Sequence, residues 1–380
     1  MTTRQNLITR TSGLSRGIGR EENGVAGRHS SDTAMRPRDC VIASLQHREI
    51  RPVPFWLGFQ SGIAKRMDEH FGHDRWRASI EDRYLVGCDP IGLLARLPLK
   101  DDPTRALDCF GGVWRIDGLA DHLERPALVE GGPDDLRLPA PERIRDPRHL
   151  EECRRFVAAH SDRYTGAAVW GLGLYETVWT LRGFENALAD AAGDEGFYAA
   201  LVERVALFVE SLLDVALELP VDYVSFGDDV GDQLGVTIGP DRWRRYFKAH
   251  WARFCGKAHA AGKKMFLHSC GSVADLVPDF IEVGIDILDP VQPEPRGMNP
   301  YALKKAYGDR ISFHGGLGSQ TTIPFGTPSS IRDEIGKLCR EMGRDGGYIL
   351  KPAKTIRDET PLENALAVLD AFVDQDGVRL

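Results

Sequence analysis

The chain has 380 residues, with 48 Lys and Arg against 56 Asp and Glu, which gives a formal net charge of −8 at pH 7. Its 42% hydrophobic and 27% charged residues are typical of a folded globular protein. The acidic balance argues against a nucleic-acid-binding protein, and no apolar run reaches the roughly 18 residues of a transmembrane helix. Seven cysteines without regular spacing predict free thiols in a reducing cytoplasm.

Residues 1–34 have a composition unlike the rest of the chain. They contain five arginines, many Gly, Ser and Thr, and almost no apolar periodicity. Such a segment cannot bury enough apolar surface to offset the entropy of ordering, so we predict a disordered tail. An alternative is that translation begins at Met35, where the folded pattern starts. The predicted folded domain covers 35–378.

The first half of this domain mixes helices, strands and an irregular region. An amphipathic pattern predicts a helix over 38–47, and prolines introduce a first strand over 52–57. Helical patterns continue over 62–71 and 75–86 and are followed by a second strand that ends at 87–90. The Pro-, Gly- and Asp-rich region that follows contains a predicted hairpin at 111–115, and another helix covers 148–160.

In the second half, short apolar strands alternate regularly with helices. Strands are predicted at 167–171, 222–226, 264–268, 286–289, 311–313 and 348–351, with helices at 197–219, 240–261, 273–283 and 328–342. Together with the two earlier strands these make eight, which favours a (β/α)8 TIM barrel over an open doubly wound sheet. The segment from Gly171 to Glu176 lacks the third glycine of a dinucleotide-binding loop.

Polar side chains follow nearly every predicted strand. In a parallel barrel the carboxyl ends of the strands meet at one face, so these side chains should converge on one pocket. In strand order they are Gln60; Asp89 and Arg96; Tyr175 and Glu176; Asp228 and Asp229; His268 and Cys270; Asp289 and Gln292; His314; and Lys351 and Lys354.

His268 and Cys270 stand two positions apart at the end of the fifth predicted strand. Side chains alternate along an extended chain, so both should project to the same side. Imidazole and thiolate are natural zinc ligands, and zinc could activate an incoming thiol in the same way. The alternative is a buried histidine bonded to the backbone beside a packed, inert cysteine.

The other strand-end residues also admit two interpretations each. The pair Asp228 and Asp229 could orient His268 or act as general acid and base, or one could cap a turn. Tyr175 and Glu176 could donate and accept protons, or form the first turn of a helix. The predicted substrate-binding residues are Gln60, Arg96, Gln292, His314, Lys351 and Lys354; the two lysines could instead be solvated loop residues.

Several motifs together resemble the uroporphyrinogen decarboxylase superfamily, which also contains zinc- and corrinoid-dependent methyltransferases. They are His268-Ser-Cys-Gly271, Phe226-Gly-Asp-Asp229, Asp289-Pro-Val-Gln292, Gly315-Gly316 and Pro324-Phe-Gly-Thr-Pro328. The resemblance extends over 35–373. It implies a distorted TIM barrel with its cleft at the carboxyl ends of the strands, and it is compatible with a homodimer.

The resemblance implies two kinds of site, and the chain departs from both. The decarboxylases carry an arginine-rich loop that the segment 59–65 replaces without its arginine pair. The methyltransferases hold zinc with a His-x-Cys pair, matched by His268 and Cys270, and a distant cysteine that would align near Lys354. The third ligand could then be Glu176, Asp228 or His314. No Asp-x-His-x-x-Gly cobalamin motif occurs, so a corrinoid would come free or on a partner protein.

Three functions follow as hypotheses. The first is zinc-dependent transfer of a methyl group from a small methylated substrate to a corrinoid or thiol acceptor. The second is a cofactor-free decarboxylation, in which Lys351, Lys354 and Arg96 hold a carboxylic acid and Asp229 or His314 protonates the carbanion. The third is a non-catalytic barrel that only binds a ligand or a partner, which would not require so many titratable groups at one end.

Overall fold

The computed structural model describes residues 35–92, 96–116, 121–169 and 173–376. The predicted N-terminal tail lies outside these residues. Eleven strands occur in the described part of the chain: β1 Leu85–Cys88, β2 Leu97–Pro98, β3 Arg105–Leu107, β4 Val113–Arg115, β5 His122–Arg125, β6 Tyr164–Val169, β7 Tyr223–Gly227, β8 Lys264–His268, β9 Ile287–Val291, β10 Ser312–Leu317 and β11 Tyr348–Pro352.

Seven of these strands form one parallel sheet in the order β1-β6-β7-β8-β9-β10-β11. Each neighbouring pair is parallel, as in Gly227 beside His268 and His268 beside Asp289. All residues of β6, β7, β9, β10 and β11 are buried, as expected for strands covered on both faces. The predicted succession of parallel strands through the second half of the chain is therefore confirmed.

The predicted first strand, 52–57, is not a regular strand, so the observed sheet has seven strands rather than eight. Its Phe55 contacts Leu350 of β11 through an isolated parallel bridge, and Phe59, two residues after the segment, bridges Ile356 beyond the end of β11. The N–H of Trp56 donates to the Leu350 carbonyl at 2.9 Å. Pro52 and Pro54 have no N–H group to donate, which explains why this segment does not form a continuous ladder.

Helices follow the strands and cover the sheet. Their bounds are α1 Pro37–Leu45, α2 Ser61–Phe71, α3 Pro141–Ile144, α4 Pro147–Ala159, α5 Leu174–Arg182, α6 Phe184–Gly193, α7 Glu195–Leu217, α8 Pro240–Tyr246, α9 Lys248–Ala260, α10 Val277–Val283, α11 Pro300–Tyr307, α12 Thr322–Phe325, α13 Pro328–Met342 and α14 Leu362–Val373. Two predictions were wrong. The segment 75–86 contains the short 3-10 helix Arg75–Ser79 and the start of β1, and the predicted helix 240–261 is interrupted at Phe247.

A row of rings lines the face of the sheet that carries His268. Tyr164 stacks on Tyr223 with ring centroids 5.3 Å apart, and Tyr223 stacks on Phe266 at 5.4 Å. Phe266 then meets His314 edge-on at 5.5 Å. Phe266 lies two residues before His268 and so shares its face. These rings form the floor of the region in which the strand-end side chains meet.

A second, antiparallel sheet of four strands lies between β1 and β6 in the chain, in the order β2-β3-β4-β5. The predicted hairpin at 111–115 contributes β4 to it. Phe110, in the turn before β4, packs edge-on against Phe208 of α7 with centroids 5.5 Å apart. This sheet therefore packs against the helical layer. Among the described residues, no helix has the length and apolar character needed to cross a bilayer.

Asp279 joins three helices on the outside of the sheet. Its carboxylate accepts from Arg244 Nε of α8 at 3.0 Å and from Lys248 Nζ of α9 at 2.8 Å. Burial would raise the pKa of Asp279, but the hydrogen bonds from Arg244 and Lys248 outweigh burial and lower it.

We expect Asp279→Asn to lower the free energy of unfolding by about 1–3 kcal/mol at pH 7. Because the folded-state pKa lies below the unfolded one, this stabilisation is complete above the unfolded pKa of about 3.9 and is lost as the pH falls through the folded value. Urea denaturation at several pH values measures the difference. Asp241→Asn, which removes an exposed partner of the same Arg244, is the control and should change nothing measurable. Equal stability of Asp279→Asn and wild type at pH 7 would contradict the prediction.

Candidate metal centre

His268 and Cys270 come together at the carboxyl end of β8. His268 Nε2 lies 3.2 Å from Cys270 Sγ, so the pair shares one side of the chain as predicted. Gly271 follows with a φ of +85°, a conformation that favours glycine. A Cβ at residue 271 would lie 2.4 Å from the Gly231 carbonyl oxygen, so the turn after Cys270 packs directly on the loop after β7.

Asp229, from that loop, completes a group of three potential metal ligands. The Cys270 N–H donates to Asp229 Oδ1 at 2.7 Å, and His268 Nε2 lies 3.8 Å from the same oxygen. The three ligand atoms lie within 4.8 Å of one another. The sequence predicts an orienting or acid–base role for Asp229, and a third ligand among Glu176, Asp228 and His314. The residue that the structure brings to the pair is Asp229.

Asp289 holds His268 from the opposite side. His268 Nδ1 hydrogen-bonds Asp289 Oδ2, while Lys351 Nζ donates to Asp289 Oδ1 at 2.6 Å. His314 Nδ1 lies 2.9 Å from Asp289 Oδ1, outside hydrogen-bond geometry. Asp289 is fully buried, and burial would raise its pKa, but the charges of Lys351, His314 and His268 hold that pKa well below its usual range.

The sequence pattern predicts Asp289 at a strand end but indicates no role for it. A signal was available, because the acid directly follows the apolar residues of β9 beside a proline. Three partners from three other strands converge on it, and such a set cannot be read from sequence spacing. Lys351 and His314 are both predicted from the sequence to bind substrate. Lys351 instead donates a hydrogen bond to the buried carboxylate of Asp289, and His314 lies beside that carboxylate.

This arrangement shifts the pKa values of His268 and His314 in opposite directions. Burial alone would lower the pKa of His268, but the charges of Cys270 and Asp289 and its hydrogen bonds to both raise it to about 10. Burial lowers the pKa of His314 despite the opposing charge of Asp289. In the described part of the chain, neither nitrogen of His314 makes a hydrogen bond.

Asp228 has a structural role at the start of α5. Its carboxylate accepts the N–H groups of Tyr175 at 3.1 Å and Glu176 at 2.9 Å, which satisfies donors that a helix N-terminus leaves unpaired. Asp228 therefore caps a helix, but that helix is α5 after β6 and not the turn after β7 that the capping alternative predicts. Burial raises the pKa of Asp228 to about 7. Tyr175 contributes its N–H here, while its ring packs edge-on against Phe247 with centroids 6.0 Å apart.

Glu176 stands next to the ligand group. Burial and then the charges of Asp229 and Asp228 raise the pKa of Glu176 to about 8. A carboxyl group with such a pKa can hold or release a proton near neutral pH. Glu176 is therefore available for proton transfer beside Asp229.

Lys354, just beyond β11, reaches into the site. Its Nζ donates to Cys270 Sγ at 2.8 Å. Burial would lower the pKa of Lys354, but the negative charges of Cys270 and Asp229 raise it. The ammonium group is thus held beside the sulfur.

The remaining predicted residues have local partners. Gln292 Oε1 accepts from the Gly271 N–H at 3.4 Å, at the edge of the site. Gln60 Oε1 accepts from the Asp358 N–H at 3.0 Å, at the start of α2. Arg96 pairs with Asp121 and lies 3.5 Å from the centroid of the Trp114 ring, so it is engaged in the antiparallel sheet.

The donor set fits zinc. Tetrahedral zinc at its usual bond lengths to nitrogen and sulfur holds the two atoms about 3.5 Å apart, close to the 3.2 Å between His268 and Cys270. One nitrogen, one sulfur and one oxygen would leave a fourth position open, as in catalytic zinc sites. A carboxylate bonded to the second ring nitrogen, here Asp289, is the common support of a zinc-bound histidine.

Comparisons with known proteins agree with this architecture. Residues 125–374 match the family model described as uroporphyrinogen decarboxylase (URO-D). The uroporphyrinogen decarboxylase of Thermus thermophilus is 25% identical over 182 residues, which cover 47% of this chain and 49% of that protein. The match thus spans about half the length of this curated relative. A solved methyltransferase from Methanosarcina mazei has the same fold, with a TM-score of 0.64 and 16% identity over 90% of this chain and 100% of that chain.

The contact between Asp289 and Lys351 makes a testable prediction. Asp289→Ala should lower the free energy of unfolding by about 3–5 kcal/mol because it leaves a buried lysine unpaired. The double variant Asp289→Ala/Lys351→Met should be more stable than Asp289→Ala, since no unpaired charge remains. Urea denaturation measures both. In the control Asp289→Ala/Lys305→Met, the second change removes an exposed lysine of α11 and should rescue nothing. Rescue by both second changes, or by neither, would refute this role for Lys351.

Proposed function

Since this chain belongs to the uroporphyrinogen decarboxylase family, we propose that it is a zinc-dependent methyltransferase of that family. It would move a methyl group from a small methylated substrate to a corrinoid or thiol acceptor. The observation that carries the proposal is the meeting of His268 Nε2, Cys270 Sγ and the Asp229 carboxylate within 4.8 Å of one another. The corrinoid would come as a free cofactor or on a partner protein.

The charges around this group support a small substrate rather than a porphyrin. A substrate with many carboxylates requires several unpaired cations. Lys351 is bound to Asp289 at 2.6 Å and Arg96 is paired with Asp121. The acids Asp229 and Glu176 lie beside the ligands. This balance favours a cationic or neutral methylated compound.

The proposed chemistry divides between the ligands and their neighbours. Bound zinc would act as a Lewis acid that keeps an acceptor thiol deprotonated at neutral pH. Asp289 holds the His268 ring so that Nε2 faces Cys270. Glu176, with a pKa near 8, would take the thiol proton. The methyl group then leaves its donor atom, which keeps the bonding electron pair, and bonds to the acceptor sulfur.

Two further features belong to the proposal. Residues 52–59 would occupy the eighth position of a (β/α)8 barrel, supported by the Phe55 bridge to Leu350 and by the Phe55 ring, 5.2 Å from the Tyr84 ring just before β1. The cytoplasm would be its compartment, supported by seven cysteines that are all free thiols.

Metal analysis tests the centre directly. Protein purified without chelators should contain about one zinc ion per chain, the stoichiometry of a single site. His268→Ala and Cys270→Ala should each abolish it, while Asp289→Asn should weaken zinc affinity about 10–100-fold because the ring loses its support. Emission spectrometry and a chelator competition assay measure these effects. Cys109→Ala, outside the site, is the matched control and should keep its zinc. Zinc retained in Cys270→Ala would contradict the assignment.

An activity assay separates methyl transfer from the alternative, a cofactor-free decarboxylation of a small or pyrrolic acid in which Lys354 binds the carboxylate. Because the methylated substrate is unidentified, the assay uses methylcobalamin as a substitute methyl donor. Zinc-loaded protein incubated with methylcobalamin and a small thiol should form the methyl thioether, detected by mass spectrometry. Cys270→Ala should lose this activity at least a hundredfold, because a zinc ligand is missing. Release of carbon dioxide from a pyrrolic carboxylic acid by metal-free protein, without thioether formation, would favour the decarboxylase.

A further inference from the structure

Lys354 places a positive charge beside Cys270, a ligand of the proposed metal site. Its Nζ lies 2.8 Å from Cys270 Sγ, and in the described part of the chain this sulfur is its only hydrogen-bond partner. We infer that Lys354 competes with the metal for Cys270. This inference rests on the proposed zinc site. In the metal-free protein the Lys354 ammonium group donates to Cys270, and its side chain turns away when the ion binds.

The two lysines near the site are held differently. Lys351 is 4% exposed and its ammonium group donates to Asp289, so it cannot leave without exposing a buried carboxylate. Lys354 is only partly buried and contacts a thiol at the edge of the site. Of the two lysines, Lys354 is the one whose ammonium group can move into solvent.

The backbone on both sides of Lys354 is fixed. The Ala353 N–H donates to the Leu317 carbonyl at 2.8 Å, and the Ile356 N–H donates to the Gly58 carbonyl at 2.9 Å. The Ile356 carbonyl accepts in turn from the Gln60 N–H at 2.8 Å. The exchange between ammonium and metal therefore needs rotation of the flexible lysine side chain and no loop movement.

Competition of this kind has a measurable consequence. A divalent ion that binds beside Cys270 meets repulsion from the ammonium group unless that group moves, and moving it costs the contact with the sulfur. Zinc affinity should therefore be lower than the three ligands alone would provide. Removing the charge should raise affinity, and placing a thiol at residue 354 should raise it further by adding a fourth ligand.

The test is zinc binding by metal-free protein, measured by competition with a chromophoric chelator. We expect Lys354→Met to bind zinc at least tenfold more tightly than wild type, and Lys354→Cys more tightly still. Lys305→Met, which removes an exposed lysine of α11, should match wild type. Circular dichroism and thermal unfolding establish that each variant is folded.

The outcomes distinguish this inference from the proposed function. If wild type binds zinc and Lys354→Met binds it equally or more weakly, the competitor role is wrong and the zinc site stands. If no folded protein in the series binds zinc, the proposed zinc site fails and the competitor role fails with it. A rise in affinity that Lys305→Met shares would reflect overall charge and would also overturn the role of Lys354.

Discussion

The site is organised by one buried carboxylate, Asp289. A charge in the interior is costly unless it is paired and hydrogen-bonded, so Asp289 can remain there only while its partners hold their positions. Lys351 compensates the charge, and His268 takes the second oxygen. The requirement also works in reverse, because a buried lysine and a buried imidazole need the carboxylate. Strands β8, β9 and β11 are thereby locked together at the edge where the ligand group forms.

This constraint explains why His268 presents Nε2 to Cys270. With Nδ1 bound to Asp289, the ring is held in one orientation and presents its other nitrogen, Nε2, to Cys270. The loop after β7 completes the group from the other side, where Asp229 accepts the Cys270 N–H. Asp228, next to it, instead caps α5 and so fixes that loop. Adjacent acids in one motif thus have separate tasks, one structural and one directed at the site.

A site with this many acids needs a cation in every state. In the metal-free protein the ammonium group of Lys354 supplies one beside Cys270, and the His268 ring, whose pKa is raised to about 10, supplies another. In a metal-bound state the zinc ion would supply the positive charge. The zinc ion and the Lys354 ammonium group would then compete for Cys270 and Asp229. The strength of metal binding would therefore depend on a residue that is not a ligand. Such competition gives the chain a way to remain stable without metal, since Cys270 and Asp229 keep a counter-charge.

The amino-acid pattern by itself determined the parallel α/β succession, because buried parallel strands read as short apolar runs between amphipathic helices. It also identified His268 and Cys270 as a pair, since residues two apart on an extended chain share a face. Tertiary structure alone decided which of the predicted strand-end residues contact this pair. Asp229, Asp289 and Lys354 come from three other strand ends, 84 residues separating Lys354 from Cys270, and no local periodicity encodes such contacts. The predicted first strand, 52–57, is not a regular strand for a local reason. Its prolines favour an extended backbone but lack the N–H donors that a regular ladder requires.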